Sequence, residues 1–127
     1  MRQTVKGPIV VRRVEIVGPA GTSFADLLLD TGAALTMLSP LIVESAGYDV
    51  STAKSKQQII TGNGAIKVPI LTVSELRVGD LRVDNFSVCV HSIPEVAHIQ
   101  GLLGLDFLKR FRTVIDYPNG FMEITFP

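Results

Sequence analysis

The stretch Leu27-Leu28-Leu29-Asp30-Thr31-Gly32-Ala33-Ala34-Leu35-Thr36-Met37-Leu38 places a carboxylate directly behind three leucines. Removing an unpaired carboxylate from water costs several kcal/mol, so an Asp at the end of such a strand needs a partner or a task. Gly32 lets the backbone turn tightly, Thr31 brings a hydroxyl that can lock the turn, and Ala33 and Ala34 leave room outside it. Leu35 to Leu38 then resumes an apolar strand. The loop thus presents one carboxylate on a fixed mount, a group suited to moving protons. Asp-Thr-Gly is also ordinary turn chemistry, with Asp bonding its own backbone and Gly taking positive φ, so the tripeptide alone leaves both readings open.

The other reactive side chains form weaker patterns. Cys89 and His91 lie two apart on an expected strand, hence on one face, with His98 further on, but this spacing matches no established zinc motif and Cys89 reads as a small buried hydrophobe. No metal site and no cysteine nucleophile is expected. A Gly-x-Ser-x-Gly elbow is missing, and Ser23, Ser39, His98 and Asp116 are scattered. Gly62-x-Gly64 and Gly101-x-x-Gly104 lack the framing of a phosphate loop. Asp106 falls in the first turn of an expected helix, where the dipole favours negative charge, and Asp116 precedes a turn that it can cap unless it pairs with Arg112.

The elements that must position Asp30 are mostly strands, because β-branched and apolar residues come in runs of five to eight bounded by Gly, Pro and Asn. Pro8 to Val17 and Thr22 to Leu29 form a hairpin about Gly18-Pro19-Ala20-Gly21. Ser39 as N-cap and Pro40 at the first helical position open a short helix that runs through Ala46 and stops at Gly47. Gln57 to Thr61 and Ala65 to Val73 flank a Gly62-Asn63-Gly64 tip. Three short strands follow, Leu76 to Val78, Leu81 to Val83 and Phe86 to Val90, then a loop from Ser92 to His98. Gly101 to Gly104 is a small apolar strand running into a second helix, Leu105 to Phe111, on the spacing of Leu105, Leu108 and Phe111. Thr113 to Tyr117 and Phe121 to Phe126, joined by Pro118-Asn119-Gly120, close the chain as a hairpin.

Composition bounds the rest. The chain has 127 residues, 46% hydrophobic and 19% charged, with 12 Lys plus Arg against 12 Asp plus Glu. One domain, residues 1–127, is expected, able to bury roughly two-thirds of its unfolded surface without disulfides. Its single cysteine excludes an internal disulfide and fits a reducing compartment, and because Met1 to Val17 lacks the apolar core of a signal peptide, a cytoplasmic protein or a soluble domain excised from a longer one is expected. Balanced charge argues against a nucleic-acid partner, since the densest basic clusters are only Arg12-Arg13 and Lys109-Arg110. No apolar run approaches the 18 or so residues of a membrane span.

An apolar strand ending in Asp30-Thr31-Gly32-Ala33, followed by Leu35-Thr36-Met37-Leu38, resembles the active-site signature of retropepsin-type aspartic proteases. Leu102-Leu103-Gly104 ahead of Leu105 to Phe111 is similar, in sequence and place, to that family's second landmark, two hydrophobic residues and a glycine leading into a helix. The resemblance covers roughly Val11 to Ile124, and Leu102 to Leu108 with Val114 to Gly120 resembles the cellular and bacterial members more than the compact viral ones. It implies an all-β subunit, a closed barrel with psi-shaped loops and two short helices. It also implies a catalytic Asp30 supported by Thr31, Gly32 and Ala33, with Thr31 cross-linking the loops of two subunits. Leu102, Leu103 and Gly104 become the second psi-loop. Gln57 through Ile70 becomes a flap with its tip at Gly62-Asn63-Gly64, and Ile60 and Ile66 beside an extended peptide substrate. Peptide hydrolysis by this route uses two carboxylates and no cofactor. Asp30 is the only Asp in such a context, so the resemblance implies a homodimer with the site on its two-fold axis. The alternative is a dimerisation or peptide-binding module with weak or lost catalysis. Pepsin-like enzymes usually carry a hydroxyl residue where this chain has Ala33, and that hydroxyl favours the ionised carboxylate. A less acidic optimum is expected here, and a pH–rate profile peaking below about pH 3 would contradict it.

Overall fold

The computed structural model of the protein describes residues 1–53 and 55–127. Alternating apolar residues produce ten strands: β1 Arg2–Thr4, β2 Val10–Gly18, β3 Gly21–Leu29, β4 Met37–Leu38, β5 Ser55–Thr61, β6 Gly64–Val78, β7 Leu81–Val90, β8 Gly101–Leu103, β9 Arg112–Asp116 and β10 Phe121–Thr125. Two short helices, α1 Pro40–Ser45 and α2 Leu105–Leu108, lie between them. Six strands follow one another in the order β2-β3-β8-β4-β7-β6, and β6 pairs back onto β2 through Ile16↔Leu76, which closes them into a barrel. β5 extends beyond this ring as an edge strand on β6, and β1-β10-β9 forms a separate small sheet. The fold is therefore the expected all-β closed barrel. Among the described residues, no helix is long and apolar enough to cross a membrane.

Several boundaries differ from those read along the sequence. The runs from Ala65 to Val78 belong to the single 15-residue strand β6, and Leu81–Val83 with Phe86–Val90 belong to the single strand β7. The buried positions of β7 are Leu81 and Val83, then Phe86, Val88 and Val90, so the inward phase shifts at Asn85, which has φ +49. β6 shifts in the same place, from Val73 to Leu76 and Val78, and the pairing register holds throughout. A phase change mimics a strand break when only alternation is read. The second helix is one turn, because Lys109, Arg110 and Phe111 leave it, yet Phe111 still packs on Phe107 at 4.9 Å between ring centroids. Ser39 caps α1 with its backbone carbonyl, which accepts from the Ile42 N–H, and its hydroxyl makes no capping bond. β1 was not expected. It pairs with β10, whose Met122 and Ile124 are fully buried.

The core fills the barrel with Val11, Val14, Ile16, Leu27, Leu38, Leu76, Leu81, Leu103 and Phe107, all 1% exposed or less. The seam between β2 and β6 is fastened by Tyr48, just beyond α1. Its hydroxyl donates to the Val17 carbonyl at 2.7 Å and accepts from the Ser74 N–H at 2.7 Å, while the Ser74 hydroxyl also reaches the Val17 carbonyl. Tyr48→Phe removes this latch and retains the ring. A loss of about 1 kcal/mol in unfolding free energy is expected, seen as a lower urea midpoint at unchanged slope. An unchanged midpoint would show that the backbone pairing alone holds the seam.

Candidate active site

β3 runs parallel to β8, with Leu28 opposite Leu102 and Leu29 opposite Leu103. The chain leaves β3 at Asp30, arches over, and returns as β4 on the other side of β8, where Met37 pairs with Leu102. β8 is thus threaded between the two arms of the Asp30 loop, the psi arrangement implied by Leu102-Leu103-Gly104. Two backbone bonds tie the arch to the strand beneath and the helix after it: the Asp30 N–H donates to the Leu103 carbonyl at 3.0 Å, and the Leu105 N–H to the Ala33 carbonyl at 2.8 Å. A side chain at residue 104 would meet the Leu35 carbonyl carbon at 2.6 Å, so the arch can cross α2 only over a glycine.

The half-buried Asp30 carboxylate accepts the Gly32 N–H on Oδ1 at 2.9 Å. Gly32 has no positive φ, so it serves by proximity rather than by a special turn: a Cβ there would lie 3.2 Å from the same Oδ1. Thr31 is exposed, and among the described residues its hydroxyl makes no hydrogen bond within the chain, so it does not lock the turn it belongs to. Asp30 opens into a cleft of about 700 Å³ whose floor is Gly32, Ala33, Ala34, Leu35, Met37 and Leu102. Its roof is the β5 arm of the hairpin, Gln57 to Thr61, and Cys89 and His91 form one wall. Among the described lining residues Asp30 is the sole carboxylate.

The expected hairpin forms, with Thr61 opposite Gly64 and φ +108 at Gly64. The Thr61 hydroxyl spans its tip, donating to the Gly64 carbonyl and accepting from the Asn63 N–H. Ile60 lines the cleft and is 88% exposed, whereas Gly62, Asn63, Gly64 and Ile66 stand outside the lining. Leu103 and Gly104 are buried behind the floor. Cys89 and His91 do share a face, but His98 lines a separate depression with Leu41 and Glu44. Burial, with the charge of Asp106 adding to it, pushes the Cys89 thiol up to about 11, which leaves it neutral at physiological pH. Among the described residues no group of three His, Cys, Asp or Glu side chains is arranged to hold a metal ion. Asp116 caps its turn by accepting from the Asn119 backbone and side-chain N–H groups, and the Asn119 bonds lower its carboxyl below the usual range.

Thr36 and Asp106 were not read as a pair from the sequence. Thr36 is fully buried, its N–H donates to both Asp106 carboxylate oxygens at 3.0 Å, and its hydroxyl donates to Oδ1 at 2.8 Å. The same hydroxyl accepts the Gly104 N–H at 3.0 Å, and Asp106 also accepts the Phe107 N–H. Asp106 therefore does more than complement a helix dipole: it clamps the return arm of the Asp30 loop to α2. A lone polar residue in the apolar frame Leu35 to Leu38 was the available signal.

Residues 20–110 match the protein family described as "gag-polyprotein putative aspartyl protease". The chain belongs to this family of retropepsin-like aspartic protease domains. It is 33% identical over 98 residues to DNA damage-inducible protein 1 of Neurospora crassa, covering 76% of this chain and 21% of that protein. It is 30% identical over 112 residues to the UBA domain-containing protein Mud1 of Schizosaccharomyces pombe, covering 87% of this chain and 31% of that one. The chain thus spans a third or less of these curated relatives. Among solved structures it is similar to a retropepsin-like aspartic protease from Rickettsia conorii, with TM-score 0.63 and 19% identity over 96% of this chain and 93% of that chain. It is also similar to the retroviral protease-like domain of Ddi1 from Leishmania major, with TM-score 0.57 and 15% identity over 96% of both chains. These two likenesses show the fold, and the relatives are cellular and bacterial rather than compact viral proteins.

The Thr36 clamp generates its own test. Thr36→Val keeps the shape but leaves the buried Gly104 N–H without its acceptor and removes one of the three donors to Asp106 Oδ1. A loss of about 1–3 kcal/mol is expected, measured by chemical denaturation, with Thr36→Ser recovering most of it. Equal stability of the Val and Ser variants would show that the hydroxyl is dispensable.

Proposed function

We infer that the protein is an aspartic endopeptidase whose active site forms when two copies bring their Asp30 loops together. The observation that carries this reading is the placement of Asp30: a carboxylate on a tied-down arch, opening into a cleft that has a hairpin roof and no second carboxylate among the described lining residues. Acid–base hydrolysis of a peptide needs a carboxylate to take a proton from water and an acid to give one to the carbonyl oxygen. A second copy supplies that second group. Two full charges about 3 Å apart at an effective dielectric near 20 repel by roughly 5 kcal/mol, so the pair holds one proton between its members. The ionised Asp30 accepts a proton from water as the water oxygen attacks the peptide carbon, and the protonated Asp30 of the second copy donates to the carbonyl oxygen. Collapse of the tetrahedral adduct breaks the C–N bond and returns a proton to the leaving nitrogen.

The remaining roles follow from position. The unbonded hydroxyl of Thr31, exposed beside Asp30, is available to cross-link two such loops. β5 pairs on one side only, so the hairpin carries free backbone N–H and C=O groups on its outer edge, suited to binding an extended peptide by main-chain hydrogen bonds. Ile60 sits at the exposed end of that edge.

Incubating wild type and Asp30→Asn with a diverse peptide mixture across pH tests the reading. Cleavage by wild type is expected, reduced at least about 100-fold in the variant, with sedimentation showing a dimer at the active concentrations. No cleavage by either would instead support a peptide-binding module, and equal cleavage by both would show that Asp30 does not carry the hydrolysis.

A further inference from the structure

The sheet face that forms the cleft floor does not end with the cleft. Met37 on β4 pairs with Leu102 on β8, and the ladder runs on past both strand ends, where the Ser39 N–H donates to the Gln100 carbonyl at 2.9 Å. Ser39 and Gln100 therefore stand on the same face as Met37 and Leu102, two residues or about 7 Å further from the Asp30 end. On β7 the Leu38↔Val90 pairing puts His91, which lines the cleft, level with Ser39. Ser39, Ser92 and Gln100 line a second depression of about 520 Å³, so it and the cleft share a border at His91. Its walls are aliphatic at Pro40, Ile93 and Ile99, and at Leu41 of α1, which is 72% exposed. Glu44 lies three residues on from Leu41, hence on the same face of α1, and Glu95 enters from a one-turn 3₁₀ helix, Glu95–Ala97. Among the described residues neither carboxylate forms an ion pair. The described lining contains no Lys or Arg, and His98 is its other ionisable group.

We propose that this depression is a second binding site for the substrate, taking a segment outside the cleft in which Lys or Arg stands beside an aliphatic side chain. The proposal rests on the protease reading above. Two carboxylates without a Lys or Arg between them set up a negative potential, which draws a cationic side chain and repels an anionic one. The aliphatic stem of Lys or Arg can cover Leu41 while its head stays in water beside Glu44 and Glu95. A neighbouring Leu, Ile or Val removes Pro40, Ile93 and Ile99 from water. The shared border makes the substrate the occupant: a chain leaving the cleft past His91 meets Ser39 and Ser92 next. Its tail then faces the depression at an effective concentration on the order of millimolar, so contacts too weak to hold a separate partner still tighten substrate binding.

The test extends a cleaved peptide, at either end through a Gly-Ser spacer, with a tail of Leu alternating with Lys, Gln or Glu. Values of kcat/KM are compared at one pH and low salt. In wild type the Lys tail is expected to be favoured over the Gln tail about threefold for each carboxylate, about tenfold together, through KM. The double variant Glu44→Gln/Glu95→Gln loses this preference, Glu44→Lys/Glu95→Lys turns it toward the Glu tail, and both cleave the untailed parent as wild type does. Equal rates with Lys and Gln tails in wild type, whether the depression takes neutral apolar chains or is covered by the second copy, would overturn the proposal. So would a Lys preference that survives in Glu44→Gln/Glu95→Gln. Anisotropy binding of the labelled tailed peptides to Asp30→Asn reads the same ratio without cleavage. Charge-dependent binding to a protein whose wild type cleaves nothing sinks the protease reading and keeps the second site. Cleavage indifferent to the tail does the reverse, and neither binding nor cleavage overturns both.

Discussion

Thr36 is uncharged and wholly enclosed, yet three segments of the site meet at its three polar groups. Its N–H and hydroxyl bind Asp106, its hydroxyl takes the Gly104 N–H, and its carbonyl accepts the Cys89 N–H at 3.0 Å. The return arm of the Asp30 loop, the first turn of α2 and the wall strand β7 are thereby fixed to one another. Such a cluster is stable inside an apolar barrel because every donor finds an acceptor, and removing one partner would leave the others buried and unsatisfied. The position of Asp30 depends on it, since the backbone bonds to Leu103 and Leu105 tie the outgoing side and the crown of the arch, and this cluster fixes the start of its return arm.

The two sides of the cleft are built in opposite ways. The floor is paired on both edges and backed by the core, so Leu102 and Met37 have neighbours on every side but one. The roof is a two-stranded hairpin with an unpaired edge, a glycine tip and an almost fully exposed Ile60. A precise carboxylate needs the first construction, and a backbone that must meet a peptide needs the second.

Much of this was legible in order along the chain. The carboxylate behind Leu27 to Leu29, the glycine-tipped hairpin and Leu102-Leu103-Gly104 each stand on a pattern of consecutive residues, and each is found where that pattern placed it. What was misread depended on partners distant in sequence. β6 and β7 looked like several short strands because their inward faces switch at Ser74 and Asn85, and only their mutual pairing shows that each runs on unbroken. Thr36 looked like filler in an apolar strand, and Asp106 like a helix-dipole residue, because the bond between them joins positions 70 residues apart. The second helix is shorter than its spacing implies, because Phe111 keeps helical spacing while packing on Phe107 from outside the helix.

The sequence by itself determined an all-β chain with one carboxylate in a special setting, because alternation, turn residues and the cost of burying charge are local properties. It also determined the family, because the signature around Asp30 and the one around Gly104 are contiguous. Only the tertiary structure decided which side chains share the cleft. Threading β8 between β3 and β4 brings Leu102, Met37 and Cys89 into one row, and closing β6 onto β2 fixes which face of every strand turns inward. That choice of face left His91 in the cleft and His98 outside it. No spacing along the chain distinguishes the two, because the difference lies in which strands are neighbours.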